Sequence, residues 1–322
     1  MKAVRFHEYG GPEVLKYEEI EEPSLSKGEL LIKVGACGVN FIDTYQRTGA
    51  YKVDLPHIAG QEAAGEVIGM ADDVSEFKLG DHVAFTGTPY AYAEYMTVLA
   101  SKALKLPSGI SDKQGAAILL QGMTAHYLSN STFALQKNQT CLIHAAAGGV
   151  GLLLTQMAKM RGATVIGTVS TEEKEKLARD AGADHVILYT KQNFVSEVMN
   201  ITEGKGLPVV YDSVGKTTFE GSLDCLAPRG FMVLYGQSSG RVDPIDPQVL
   251  NARGSLFLTR PSLNSYALTR QEIELRSDDL FSWVSSGKLK VTIDSAPHLS
   301  EASEAHRKLE GRETTGKVVL IP

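Results

Sequence analysis

Hydrophobic and polar positions change rhythm twice along the chain. From residue 1 to about 122, short strand-like runs at 30–34, 64–68, 82–85 and 93–98 are separated by Gly and Pro. That spacing predicts a small antiparallel barrel or sandwich. From about 123 to 260, apolar strands are predicted at 140–145, 164–169, 185–188, 208–211, 231–235 and 255–258, with amphipathic helices such as 172–181 and 194–202 between them. Strands that are apolar on both faces belong in a parallel sheet covered by helices on each side, so this segment reads as an α/β, doubly wound, six-stranded fold of the kind that binds dinucleotides. The tail then reverts to a helix at about 265–286, a strand at 290–294, a helix at 300–309 and a strand at 316–321. These are too few for a third domain and are expected to pack on the N-terminal segment.

Composition narrows the function classes. The 322 residues carry 32 Lys and Arg against 38 Asp and Glu, a formal charge of −6, with 43% hydrophobic and 22% charged residues. This is the make-up of an ordinary globular protein, and the absence of a basic stripe argues against nucleic acid as a partner. Cys37, Cys141 and Cys225 are dispersed without CxxC spacing, which suits a reducing compartment and leaves no disulfide framework or structural zinc lobe. Met1 to Phe6 run straight into strand-like sequence without a secretory signature, and no apolar run approaches the about 18 residues of a membrane span. The expectation is a cytoplasmic protein with no membrane partner.

The first strand of the middle segment runs into His144-Ala145-Ala146-Ala147-Gly148-Gly149-Val150-Gly151, then Leu152-Leu153-Leu154. Glycines at a strand-to-helix turn let the backbone approach a pyrophosphate, and the following helix N-terminus offers N–H groups and the positive dipole end. Because strand, turn, helix and second strand occur in order, Gly148, Gly149 and Val150 are read as cofactor-binding rather than as a plain tight turn. An NAD site normally has an acid about 20 residues beyond the glycines. Here the position nineteen beyond Gly151 is Ser170. A hydroxyl does not repel a 2′-phosphate, and Lys174 stands one helical turn further on, so NADPH is the expected cofactor. The alternative is that Lys174 is a solvated helix residue, and Glu172 and Glu173 beside it favour that view. Tyr189, ending the third strand, either stacks at the same end of the site or is structural.

Parallel sheets bind ligands beyond the carboxyl ends of their strands. Gly236, Gln237, Ser238 and Ser239 follow the fifth strand and are expected at the nicotinamide half of the cofactor, as are Phe257, Leu258 and Thr259 at the end of the sixth. Thr124 opens the connecting helix, where it contacts the cofactor or caps the helix. Arg260 binds phosphate or braces the domain junction. Lys317 on the last strand is a cofactor candidate or an exposed strand lysine. The apolar edge strand at 255–258 suits pairing into a homodimer with an extended sheet.

Asn40-Phe41-Ile42-Asp43, Gly60-Gln61-Glu62-Ala63-Ala64-Gly65, the glycine turn, Val210-Tyr211-Asp212-Ser213-Val214-Gly215, Gly236-Gln237-Ser238-Ser239-Gly240 and Thr259-Arg260-Pro261-Ser262 together resemble the NADPH:quinone oxidoreductases. These form the zeta-crystallin-like branch of the medium-chain dehydrogenase/reductase superfamily. The resemblance runs over nearly the whole chain in order. It implies a GroES-like barrel at 1–123 plus 262–322, an inserted Rossmann domain at 124–261 and an active site in the cleft between. It also implies that Asn40 and Tyr51 border the acceptor pocket as catalytic residues, with Asn40, Asp43 and Tyr45 ordering the cofactor. The other reading of Tyr45 and Asp43 is a packing aromatic and a turn cap.

Zinc alcohol dehydrogenases of that superfamily carry Cys and His where this chain has Asn40 and Gln61. An amide oxygen is a poor zinc ligand beside thiolate and imidazole, so a metal-free site is expected, with Cys37 a buried residue and His57 structural. Without a Lewis acid, reduction of a quinone is the expected chemistry. The alternatives are a 2-alkenal or enone reductase of the same fold, and a nucleotide-binding protein with a non-enzymatic role.

Overall fold

The computed structural model describes all 322 residues, which divide into two compact units, Met1–Gln121 with Ala267–Pro322 and Gly122–Tyr266. The first unit opens with β1 (Lys2–Phe6), β2 (Lys16–Glu19), β3 (Glu29–Gly38), α1 (Phe41–Arg47) and β4 (His57–Ile58). It continues with β5 (Glu62–Met70), β6 (His82–Thr86), β7 (Tyr95–Leu99), β8 (Leu104–Lys105) and the start of α2 (Asp112–Tyr127), whose residues from Gly122 onward belong to the second unit. The second unit alternates as β9 (Thr140–Ile143), α3 (Gly149–Met160), β10 (Thr164–Val169), α4 (Glu172–Asp180), β11 (His185–Leu188), α5 (Phe194–Ile201) and β12 (Leu207–Asp212). It ends with α6 (Phe219–Asp224), β13 (Leu226–Leu234), α7 (Gln248–Ala252), β14 (Phe257–Thr259) and α8 (Leu263–Tyr266). The chain then returns to the first unit as α9 (Arg270–Ser285), β15 (Ile293–Ser295), α10 (Ala302–Glu310) and β16 (Lys317–Leu320).

In the first unit, a seven-stranded sheet runs β15-β16-β3-β5-β6-β8 with β7 also on β3, beside a three-stranded sheet β2-β1-β4. Apart from the β15–β16 pair, these ladders are antiparallel, and the last strand closes on β3 through Val319 opposite Gly38 and Leu320 opposite Cys37. One apolar cluster, including Phe6, Leu30, Ile32, Phe85, Tyr92 and Leu320, joins residues from both ends of the chain. In the second unit, six parallel strands are ordered β11-β10-β9-β12-β13-β14. The order reverses direction between β9 and β12, the switch point beyond which such sheets bind ligands. Leu142, Ile166, Val210 and Met232 from four of these strands pack with Phe219 and Leu223 of α6. The α/β class with a doubly wound parallel sheet agrees with the sequence pattern.

Two details differ from that pattern. The sixth strand begins at Phe257 rather than 255, because Ser255 takes a left-handed φ of 58° that a strand cannot contain. The expected helix at 265–286 is two helices. Thr269 accepts the Glu272 N–H at 3.2 Å while the Glu272 carboxylate accepts the Thr269 N–H at 3.2 Å and the Leu268 N–H at 2.9 Å, a capping box that starts α9 afresh. Replacing Thr269 by Ala is expected to cost about 1 kcal/mol in urea unfolding, since it removes that cap without touching the core.

Candidate active site

In the second unit, the turn after β9 is closed by backbone hydrogen bonds. Ala145 adopts a left-handed φ of 52°, Ala146 N–H reaches the Thr168 carbonyl of β10 at 3.1 Å, and Gly148 N–H closes on the Ala145 carbonyl at 2.9 Å. Gly148 is the N-cap of α3, and no side chain caps the helix. A Cβ on Gly151 would lie 2.3 Å from the Ala145 carbonyl oxygen, so glycine lets the helix lie against the turn. The result is a twelve-residue helix whose first-turn N–H groups point out of a side-chain-free loop, the arrangement that cradles a pyrophosphate.

A polar network centred on the fully buried Asp212 adjoins this turn. Asp212, at the end of β12, accepts Val214 N–H at 2.8 Å and Gly215 N–H at 3.0 Å on one oxygen, and the Thr218 and Ser222 hydroxyls at 2.7 and 2.8 Å on the other. Because Ser222 donates to Asp212, its oxygen accepts from His144 Nε2 at 3.0 Å, and His144 Nδ1 in turn takes the Thr168 hydroxyl at 2.9 Å. Burial pushes the His144 pKa down, against the pull of Asp212. Sequence reasoning assigned neither residue a role, although a histidine and an aspartate ending otherwise apolar strands were the available signal.

The remaining candidates of this unit sort by geometry. Ser170 immediately follows β10 and Lys174 lies one turn into α4, whose N-cap is Thr171. Glu172, an acid that favoured the solvated reading of Lys174, pairs with Lys191 at 2.8 Å. Tyr189 is half-exposed at the end of β11, where the neighbouring Thr190 hydroxyl donates to the Ser170 carbonyl at 3.0 Å. Ser239 uses both its N–H and its hydroxyl on the Val214 carbonyl, at 2.8 and 2.7 Å, and Ser238 N–H donates to the Ser213 carbonyl at 3.1 Å. The loop carrying Gly236 and Gln237 is therefore clamped to the 213–217 turn. Phe257 and Leu258 are half-exposed on edge strand β14, with the Phe257 ring stacked on Phe231 at 4.6 Å and Thr259 closing the strand. Thr124 is buried in the last turn of α2 rather than opening it, so it does not cap the helix start.

In the first unit, Asn40, Glu62 and Lys317 converge with almost no solvent exposure. Lys317 Nζ donates to Glu62 Oε2 at 2.6 Å and to Asn40 Oδ1 at 2.7 Å. Asn40 Nδ2 donates to Glu62 Oε2 at 2.9 Å and to the Gly38 carbonyl at 3.2 Å, and Glu62 Oε1 accepts Leu120 N–H from α2 at 2.7 Å. Both protons of the Asn40 amide and the Lys317 ammonium are thus engaged inside the fold. Sequence reasoning did not foresee that Lys317 is paired there with Glu62.

Asn40 N–H donates to Asp43 Oδ2 at 2.8 Å across the first turn of α1, and Tyr92 O–H donates to the same oxygen at 3.0 Å. Asp43 Oδ1 is buried without a partner, and burial pushes the carboxyl pKa up to about 7 despite those bonds and the nearby Lys317. Gly60 sits at φ +88°, where a Cβ would meet the Tyr92 ring at 2.2 Å. Tyr45 and Tyr51, on and just after α1, meet edge to face at 5.4 Å, with Tyr51 39% exposed. Cys37 Sγ donates to the Ala91 carbonyl at 2.9 Å inside the core, and Gln61 immediately precedes β5. No group of three or more His, Cys, Asp or Glu side chains is arranged to hold a metal ion.

Lys317→Met or Glu62→Leu alone leaves a buried charge without its counterion and is expected to lower urea-unfolding stability by about 3–5 kcal/mol, whereas the double variant recovers most of the loss.

The geometry has close counterparts. A zinc-binding dehydrogenase family model matches residues 149–278, and an alcohol dehydrogenase GroES-like domain model matches residues 26–108. A quinone oxidoreductase of Pseudomonas aeruginosa is 45% identical, over 100% of this chain and 99% of its own. A 2-haloacrylate reductase of Burkholderia is 42% identical, over 99% of this chain and 98% of its own. The solved structure of Escherichia coli quinone oxidoreductase complexed with NADPH superposes with a TM-score of 0.98 at 44% identity, covering 100% of both chains. The chain belongs to the quinone oxidoreductase family of the medium-chain dehydrogenase/reductase superfamily.

Proposed function

We propose that the protein reduces quinones with NADPH by a route that needs no zinc. The observation that carries this reading is a full-length likeness to an NADPH-complexed quinone oxidoreductase, together with an uncapped glycine-turn helix and a serine where an NAD site has an acid. The residues present fit the dinucleotide. Gly148, Gly149 and Val150 would receive the pyrophosphate, Ser170, Lys174 and Tyr189 the adenosine phosphate end, and the loop of Gly236, Gln237, Ser238 and Ser239 the nicotinamide half together with Phe257, Leu258 and Thr259. Asp43, Tyr45 and Thr124 complete the set. When bound, NADPH supplies the hydride.

The chain's own residues orient and polarise. The Asn40 amide protons are already donated to Glu62 and Gly38, so the hydrogen bond to an acceptor oxygen falls to the phenol of Tyr51, whose exposed ring also offers a stacking face. Asn40 contributes by fixing Asp43 and, with Glu62, the Lys317 ammonium. A zinc-free route is supported by the donor set: Asn40 and Gln61 are amides, and the Asn40 oxygen already accepts from Lys317 at 2.7 Å. A second reading, reduction of an activated alkene, is favoured by the likeness to 2-haloacrylate reductase. We also propose a homodimer built on the β14 edge, where Phe257 and Leu258 present apolar side chains on a strand that is paired on its β13 side alone.

NADPH oxidation assayed with 1,4-naphthoquinone, 2-hexenal and 2-chloroacrylate is expected to be fastest with the quinone and unchanged by chelator. Loss on chelation overturns the zinc-free route, and faster alkene turnover favours the second reading. Ser170→Asp combined with Lys174→Ala is expected to lower kcat/KM for NADPH at least about 10-fold while sparing NADH, and Tyr51→Phe to lower quinone turnover about 10-fold. Sedimentation should give a dimer that Phe257→Lys dissociates; a monomeric wild-type protein would refute the edge pairing.

A further inference from the structure

We propose that Tyr92 and His306 are positioning residues: a hydrogen-bond chain from Arg47 through His306 and Tyr92 fills one oxygen of the Asp43 carboxylate and leaves the other, Oδ1, as the acceptor for a hydroxyl or amide donor of the bound dinucleotide. This rests on the reading that Asp43 contacts the cofactor. The direction of every bond in the chain follows from chemistry. Arg47 has only donors, so His306 Nδ1, 3.2 Å from Arg47 Nη1, accepts. The imidazole proton therefore sits on Nε2 and donates to the Tyr92 oxygen at 3.2 Å, and the Tyr92 proton goes to Asp43 Oδ2 at 3.0 Å. Burial, reinforced by the Arg47 charge, lowers the His306 pKa to about 3, so the ring stays neutral and its tautomer fixed.

The chain is anchored at its far end. Arg47 also donates to the Gly10 carbonyl at 3.1 Å and to Glu310 at 2.6 Å, while His306 lies on α10, next to the last strand. Since Arg47 does not release a proton, the chain transmits orientation rather than protons. Its product is an asymmetric carboxylate: Oδ2 holds Asn40 N–H and Tyr92 O–H, and Oδ1 is buried without a partner. The charged and titratable groups facing Asp43 are Cys37 from β3, Glu62 from β5, Lys317 from β16 and Tyr92 from the segment before β7. Burial outweighs the two hydrogen bonds and the Lys317 charge, and the carboxyl titrates at about 7. A ligand donor favours the ionised form, so affinity should rise with pH through that value. The Tyr92 bond lowers the pKa, so its removal moves the midpoint upward.

The test is NADPH binding to the full chain, followed by nicotinamide fluorescence from about pH 5.5 to about 8.5, with melting temperature alongside. Wild-type affinity is expected to increase through neutrality. Tyr92→Phe and His306→Leu should raise the midpoint by about half a unit or more and weaken binding at neutral pH by about 3- to 10-fold, whereas His306→Gln, which keeps an amide donor toward Tyr92, should restore both. A Tyr92→Phe protein with the wild-type midpoint and affinity, or a His306→Gln protein no better than His306→Leu, overturns the proposal. Asp43→Asn separates the two levels. If it abolishes the pH dependence while the Tyr92 and His306 variants change nothing, only the positioning role fails; if it leaves affinity and profile unchanged, the Asp43 contact itself is wrong.

Discussion

Lys317 and Glu62 meet at 2.6 Å with essentially no water, and the first unit is arranged around satisfying them. Removing two ions from solvent costs several kcal/mol each, and their attraction offsets this only when the remaining donors and acceptors are also matched. Asn40 does the matching, accepting from the ammonium and donating to the carboxylate, while Leu120 N–H takes the other carboxylate oxygen. Those four residues belong to β16, β5, the entry to α1 and α2, so segments far apart in sequence are tied by one electrostatic requirement. The conformation of Asn40 then sets the first turn of α1, and with it Asp43.

The second unit meets the same problem without a counterion. Asp212 is fully buried, and four N–H or O–H donors surround it. Hydrogen bonds to a carboxylate are among the stronger kind, and here they come from two backbone amides and two hydroxyls on the segment that follows β12. Through Ser222 and His144 the network reaches Thr168 of β10. The glycine turn therefore rests on polar bonds from three neighbouring strands as well as on apolar packing. A turn made of Ala and Gly has no side chains of its own with which to define a shape, and the adjoining network supplies that definition.

Much of this was legible in the order of residues. Apolar strands alternating with amphipathic helices announced the parallel sheet, because both faces of such a sheet must be covered. The Gly148–Gly151 turn was visible because close backbone approach between strand and helix demands glycine at a fixed spacing. The Asn40, Glu62 and Lys317 cluster was not visible as a unit, since pairing across 255 positions leaves no local periodicity. His306 was equally silent: a histidine in an amphipathic helix reads as surface or core until its partner Tyr92 is placed beside it. Ser239 carries a duty that its sequence did not announce: its hydroxyl holds the neighbouring loop through the Val214 carbonyl.

Gly60 and Tyr92 show how such hidden pairings shape the sequence itself. The ring of Tyr92 passes where a side chain at position 60 would begin, so the two positions act as one hereditary unit. A lineage that gained any larger residue at 60 would first have to lose the aromatic at 92, and with it the hydroxyl that holds Asp43. The glycine that opens the Gly60-Gln61-Glu62 motif is thus kept by a tyrosine thirty-two residues away, and in aligned sequences of the family the two should be retained or lost together.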